Sequence, residues 1–243
     1  MIFERRVYTF RPGKLDAFWE AQGAWNTDEV FGPLLSRNIG YFSATAGEND
    51  QLIHLYRFDS LDQWQTLYGQ YYRAQSPEYF ALVRPWMLRQ ENAFLTAAPV
   101  GEPTACWTGP RLLPPPSLRL CPAPEKVCVL ETRIDLLPGG LPAYWRAHEA
   151  HRPDADAHSK SHLMAVLVSL VGRLHRVFRY QAFADAASAQ REQEARAADP
   201  RWREFSSAYA EWVADETTIA QHPSPLPSRR AFLDERSPAG ASG

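Results

Sequence analysis

The pattern of apolar and polar positions runs through this chain twice. Ile2–Phe10 alternates as a half-buried strand, and Pro12-Gly13 turns it into a helix that opens on Leu15, Phe18 and Trp19. Ile39–Thr45 and Gln51–Phe58 alternate again, as a strand pair joined across Gly47-Glu48-Asn49-Asp50. A helix follows from Ser60, whose hydroxyl is a natural N-cap; Ser76-Pro77 breaks it and starts a short second piece, and Trp86–Leu95, carrying Gln90-Glu91, is a closing strand. Residues 127–220 repeat the order. Pro138-Gly139, Leu141/Tyr144/Trp145, Val177–Phe183, Asp199-Pro200 and Asp215-Glu216 each lie about 125 residues beyond their counterparts. That period is too long for a solenoid, and two copies make a duplicated domain.

Each copy reads β-α-β-β-α-β, the ferredoxin-like unit, with its helices on one face of the sheet. The other face would be a large apolar patch unless something covers it, and the second copy is built in to do so. The expected fold is therefore α+β: two ferredoxin-like units in tandem, closing their sheets into one barrel. Boundaries are expected at 1–97 and 126–221. Between them, residues 98–125 carry eight prolines, which remove backbone donors and favour an extended linker, with Trp107 and Leu112-Leu113 pinning it to the surface. The tail 222–243, rich in Pro, Ser and small residues, reads as disordered.

Composition narrows the function classes. At 45% hydrophobic and 12% aromatic, with eight Trp, the chain can fill real cores or line a ligand cavity. A net charge of −2 and a pI near 6.4 supply no cationic field for nucleic acid or an anionic membrane. With no apolar signal core at the start and no run of membrane-spanning length, the expected location is cytoplasmic. Cys106, Cys121 and Cys128 lack CxxC spacing, so neither a disulfide framework nor a zinc site is expected.

Glu4-Arg5-Arg6-Val7-Tyr8-Thr9-Phe10-Arg11-Pro12-Gly13-Lys14, the stretch His54–Leu61 and Gln90-Glu91-Asn92 together resemble a NIPSNAP domain. The second copy is similar through Glu131-Thr132-Arg133, Pro138-Gly139 and Asp199–Phe205. The resemblance implies a dimeric α+β barrel around a cavity. It also implies a range of activities among barrel relatives: cofactor-independent monooxygenation of polycyclic phenols, haem-dependent chlorite decomposition, isomerisation and dehydration, and noncatalytic mitochondrial partners among eukaryotic members. Two positions depart from the family pattern. The G-x-L-N-Q turn reads Gly47-Glu48-Asn49-Asp50-Gln51, and Trp64 stands where an Arg is expected.

Residues two apart on a strand share a face. If helices cover the uniformly apolar face, Ile53/Leu55 lie beneath them, while His54/Tyr56 and, in copy two, Arg179/Gln181 look into the barrel. Glu4, Arg6 and Tyr8 would share a face, as would Glu131, Arg133 and Asp135, and the two sets would converge across the pseudo-twofold axis. His54 is the candidate acid/base, Tyr8 and Tyr56 the hydrogen-bond donors to an oxyanion, and Arg6, Arg133 or Arg179 the anchor for a carboxylate or phenolate. Local Glu4–Arg6 and Glu131–Arg133 pairing and a satisfied interior His54 are the structural alternative. His148 continues the inward stripe of Tyr144/Trp145 toward the cavity mouth. His148-Glu149-Ala150-His151, with Asp154, Asp156 and His158, lacks the H-E-x-x-H spacing and reads as a solvated helix end, not a metal site.

The expected function is transformation of a hydrophobic, aromatic or polyketide-like small molecule of secondary metabolism by acid/base chemistry, without a dissociable organic cofactor. One asymmetric site per chain is expected between the copies, copy one supplying proton-transfer groups and copy two the guanidinium. The alternatives are a noncatalytic ligand-binding or scaffold protein, and a haem protein with His54 or His175 as axial ligand. A homodimer on top of the internal pseudo-dimer is a further expected form of assembly.

Overall fold

The computed structural model describes residues 1–25, 27–46, 50–73, 77–100, 105–119, 121–154 and 161–234. The sequence expectations for Gly47-Glu48-Asn49, Ser76, Asp156, His158 and residues 235–243 fall outside the described residues. Copy one comprises β1 (Ile2–Phe10), α1 (Leu15–Ala24), α2 (Thr27–Leu35), β2 (Asn38–Ala46), β3 (Gln51–Phe58), α3 (Leu61–Arg73), α4 (Pro77–Val83) and β4 (Met87–Ala97). A short α5 (Ala105–Thr108) follows in the linker. Copy two comprises β5 (Cys128–Leu136), α6 (Gly140–His151), β6 (Leu163–Val171), β7 (Arg176–Phe183), α7 (Ala186–Ala198), α8 (Pro200–Ser207) and β8 (Val213–Pro223).

Local chemistry accounts for the shared framework. Gly13 and Gly139, at the same place in each copy, take φ of 71° and 90°, the left-handed conformation that only glycine adopts freely. The Ser60 hydroxyl accepts from the Gln63 N–H at 3.1 Å and starts α3 as the sequence predicts. In copy two Asp185 and Asp199 cap α7 and α8, accepting from the Ser188 and Arg201 N–H groups.

The eight strands close into an antiparallel barrel in the order β1-β3-β2-β8-β5-β7-β6-β4. Two tandem ferredoxin-like units thus form one barrel, joined where β2 pairs with β8 and β4 with β6. Its interior is the deepest core, with Phe3, Ile53, Leu55, Met164, Leu167, Phe178, Tyr180 and Ile219 at 0–1% exposure. Separate aromatic cores lie under the helices of each copy, Phe10, Phe18, Tyr56 and Phe58 in one and Tyr144, Phe205 and Tyr209 in the other.

Two expectations about the connecting segments are corrected. Trp107 does pin the linker, but in the core and not on the surface: it is fully buried, its ring 5.1 Å from Tyr180 of copy two. Nor is residue 222 the start of disorder. β8 runs to Pro223, the Ser224 N–H donates to the Tyr41 carbonyl at 2.8 Å, and Phe232 is fully buried with its ring 5.2 Å from Phe42 of copy one. Gly40 makes this docking possible, since a Cβ there would lie 3.1 Å from the Phe232 ring and closer still to Phe42. Phe232 follows Trp107 by the same offset of about 125 residues that relates the two domains. The copies therefore exchange their C-terminal extensions, each seating an aromatic ring on the other. Proline and serine content concealed this, because the apolar residues that hold the segment, Leu226, Ala231, Phe232 and Leu233, are few and show no strand or helix period.

Candidate active site

The faces of β1, β3 and β7 are the reverse of the sequence expectation, while Glu131 on β5 points inward as expected. Arg5, Val7, Ile53, Leu55, Glu131, Phe178 and Tyr180 point into the barrel, whereas Arg6, Tyr8, His54 and Tyr56 lie under the helices of copy one, against Phe18, Tyr68 and Tyr79. The reason is physical. A closed barrel interior is dry on every side and takes the more apolar face, its charges paired with each other as Arg5 and Glu131 are; a helix layer has open ends and can accommodate polar groups around a cavity.

That cavity, about 190 Å³, lies between the sheet and the helices of copy one. Its floor is formed by Tyr41, His54 and Tyr56 from the sheet and Phe18 and Val83 from the helices, and its walls by Phe31, Tyr71, Tyr79 and Phe80. Exposed Tyr72, Arg84 and Gln90 mark its mouth. An apolar void of around 150 Å³ accepts a benzene ring, so this one suits one ring with substituents or a compact pair.

His54 is the central group. Its imidazole stacks on Tyr41 with ring centroids 3.5 Å apart and planes at 5°, and leans on Tyr8 at 4.9 Å. Both ring nitrogens are buried without a hydrogen-bond partner. Burial, reinforced by the positive charges of Arg6 and Arg229, drives its pKa well below the usual 6.5, so the ring is a neutral imidazole with both nitrogens available to a ligand. Arg6 opposes it across the β1–β3 ladder. Its Nε donates to Glu4 Oε1 at 2.7 Å, and its guanidinium lies 3.9 Å over the Tyr68 ring. Burial lowers the pKa of Arg6, but Tyr8, Tyr68 and Glu4 outweigh it and the group stays charged. The Tyr41 and Tyr56 hydroxyls share a hydrogen bond of 2.7 Å, and burial pushes both pKa values up, Tyr41 to about 12. They are donors, not bases.

The remaining sequence candidates lie elsewhere. Glu131 accepts from Arg5 across the barrel, with Arg133 Nε at 3.6 Å. Arg179, at the repeat position of His54, is under the copy-two helices and held by both oxygens of Asp154. Gln181 accepts from Arg196, and the guanidinium groups of Arg179 and Arg196 lie 4.9 and 4.6 Å from the Trp202 ring. His148 packs against Phe205 with Nε2 3.6 Å from Asp154, and does not reach the copy-one cavity. His175 sits in the β6–β7 turn. So Arg6, not Arg133 or Arg179, is the guanidinium beside His54, and the two sets of acid–Arg residues do not converge. Among the described residues no group of His, Cys, Asp and Glu could hold a metal ion, and no helix is long and apolar enough to cross a membrane.

Sequence reasoning missed Tyr41, Phe31 and the Tyr71/Tyr79/Phe80 wall. The available signal was the density of rings in α3–α4, with Trp64, Tyr68, Tyr71 and Tyr72 on one helix.

The neutral state of His54 makes a stability prediction. The unfolded chain protonates this histidine near pH 6.5 while the folded one resists, so stability is lost as pH falls from that value toward the folded pKa. Between pH 7.5 and 5.5 this histidine alone should cost about 1 kcal/mol. Urea unfolding of His54→Phe, which keeps the stack on Tyr41, should show that part of the loss abolished.

A family model described as NIPSNAP matches residues 3–101 and 132–223. None of the curated proteins matches the chain. Among solved structures, a Lactobacillus acidophilus protein provisionally named a monooxygenase is similar at 9% identity over 97% of each chain, with a TM-score of 0.56. An anthrone oxidase-like protein is similar at 10% identity over 98% of this chain and 93% of its own, with a TM-score of 0.54. An uncharacterized NIPSNAP-like domain protein of Burkholderia xenovorans is 25% identical over 42% of this chain and 89% of its own, with a TM-score of 0.37.

Proposed function

Because the chain belongs to the NIPSNAP family, as two domains in tandem, we propose that it uses the copy-one cavity to bind a small, flat phenolic or enolic molecule and to take a proton from it. The observation that carries this reading is the His54 imidazole, buried, neutral and unpartnered at both nitrogens on the floor of an aromatic cavity. A phenol meets its requirements: a flat ring for the aromatic walls and an O–H for a ring nitrogen.

Proton transfer converts a neutral pair into imidazolium and phenolate. The phenolate offsets the burial penalty that keeps the free imidazole neutral, and Arg6 and the tyrosine hydroxyls stabilise its oxygen. The resulting electron-rich anion is the starting species for isomerisation by reprotonation at carbon, and for oxygenation by dioxygen. The names of the full-length fold neighbours are consistent with oxygenation. Haem is not part of this reading, because the cavity bounded by the described residues suits one ring system and not a porphyrin.

The test uses 4-nitrophenol, whose anion is yellow. At pH 6 the wild-type protein should bind it as the anion, and Leu35→Trp, which fills the cavity from α2, should reduce binding at least tenfold. Binding only as the neutral phenol, or undiminished binding by the filled variant, would refute the reading. Binding of phenols with no turnover of any would favour the noncatalytic ligand carrier.

A further inference from the structure

We propose that the C-terminal segment 224–234 is a working part of the copy-one site, with Arg229 a positioning residue that acts through Tyr41 on His54. The family match ends at residue 223, and this segment lies beyond it. It is nevertheless folded onto copy one. The Ser224 N–H donates to the Tyr41 carbonyl, Arg230 donates to the Ser224 and Pro225 carbonyls, Leu226 packs on the aromatic core under the helices, and Phe232 is locked between Phe42 and the space left by Gly40.

Arg229 is the product of this docking. It is 2% exposed, on a short 3-10 turn, with its guanidinium carbon 5.7 Å from the centroid of the Tyr41 ring. Tyr41 is the ring on which His54 is stacked, so cation, phenol and imidazole form a contiguous series from the C-terminal segment to the cavity floor. A cation near a ring face is attracted by its quadrupole, and its field disfavours a second positive charge on the neighbouring imidazole.

Among the described residues the charged groups facing His54 are few. They are Arg6 from β1, with Glu4 behind it, Arg84 at the cavity mouth and Arg229; the other titratable neighbours are the tyrosines Tyr8, Tyr41 and Tyr56 of the sheet and Tyr71, Tyr72 and Tyr79 of the helices. Arg6 and Arg229 act in the same direction, and burial acts with them. Arg6 is tethered to Glu4, whereas Arg229 is delivered by a segment that could detach without breaking the barrel. That gives the extension a role beyond packing: it fixes the Tyr41 ring and keeps its stacked neighbour a neutral acceptor.

This inference rests on the proton-transfer reading for its consequence in turnover, but its test reads the ligand-free protein. Imidazole resonances of His54, followed by NMR through a pH titration, should shift to a higher pKa by about half a unit or more in Arg229→Gln. Arg229→Lys should return close to wild type, since a purely steric role would not be rescued by charge. Phe232→Ala, which loosens the docking and leaves Arg229 in the chain, should move His54 in the same direction. If Arg229→Gln does not fold, the other two variants decide the matter. An unmoved His54 titration in Arg229→Gln or Phe232→Ala overturns the inference, as does a lysine variant that titrates like the glutamine one. None of these outcomes bears on whether phenols bind.

Discussion

Glu131→Gln is expected to destabilise the protein by about 3–5 kcal/mol in equilibrium urea unfolding. Glu131 is fully buried and accepts from Arg5 Nε at 3.0 Å and Nη2 at 2.6 Å, from the Tyr180 hydroxyl at 2.9 Å and from Gln221 at 3.3 Å. Arg5 and Glu131 occupy the same position in the two copies, so this ion pair bridges the pseudo-twofold axis inside the barrel. Glutamine keeps the shape and removes the charge, leaving a guanidinium at 6% exposure with no anion to face. Burial raises the Glu131 pKa, but Arg5 outweighs it and the net direction is down. Its stabilising contribution is therefore present above the unfolded value of 4.5 and is lost as pH falls through the folded value, so the gap between wild type and Glu131→Gln should close in acid. Replacing both partners, Arg5→Met with Glu131→Leu, should recover a large part of the loss. A single-variant cost under about 1 kcal/mol would mean that the pair is screened like a surface bridge.

The same pair shows what the chain reveals without a structure. The repeat, the Pro-Gly turns and the alternation of each strand are local properties, and they were sufficient for the element order and the paired barrel. Which face of a strand meets the helices is not local. Both faces of β1 carry a charged residue, Arg5 on one and Arg6 on the other, and only the closure of eight strands decides which of them meets Glu131. Alternation placed His54, Tyr56, Arg6 and Tyr8 correctly on one face; the assumption that helices take the more apolar face then put that face on the wrong side. The error also moved the expected guanidinium from Arg6 of copy one to Arg133 or Arg179 of copy two. The depth at which Trp107 and Phe232 are buried was illegible for a related reason: a single ring in a proline-rich stretch has no periodicity, and the rings they meet, Tyr180 and Phe42, lie far away in sequence.

His54→Phe is expected to slow proton transfer by about 100-fold or more, with much less effect on ligand affinity. Uptake of solvent deuterium into the ring of resorcinol is a suitable measure, because exchange requires the phenol to be deprotonated and reprotonated at carbon. Phenylalanine preserves the stack on Tyr41 and the aromatic character of the floor, so a bound ring keeps most of its contacts. What disappears is the acceptor nitrogen. Tyr41 and Tyr56 cannot replace it, since burial holds both as neutral phenols, and Glu4, whose Oε1 accepts from Arg6 and Asn92, does not line the cavity. Arg6→Met should act differently, weakening binding of the anion and slowing exchange together, because its charge attracts the phenolate both on binding and in the transition state. Arg179→Met should do neither, although it should cost stability by leaving buried Asp154 without the guanidinium that holds both its oxygens. Wild-type exchange in His54→Phe would remove the imidazole from the chemistry. Loss of exchange in Arg179→Met, with Arg6→Met unaffected, would return the site to the second copy.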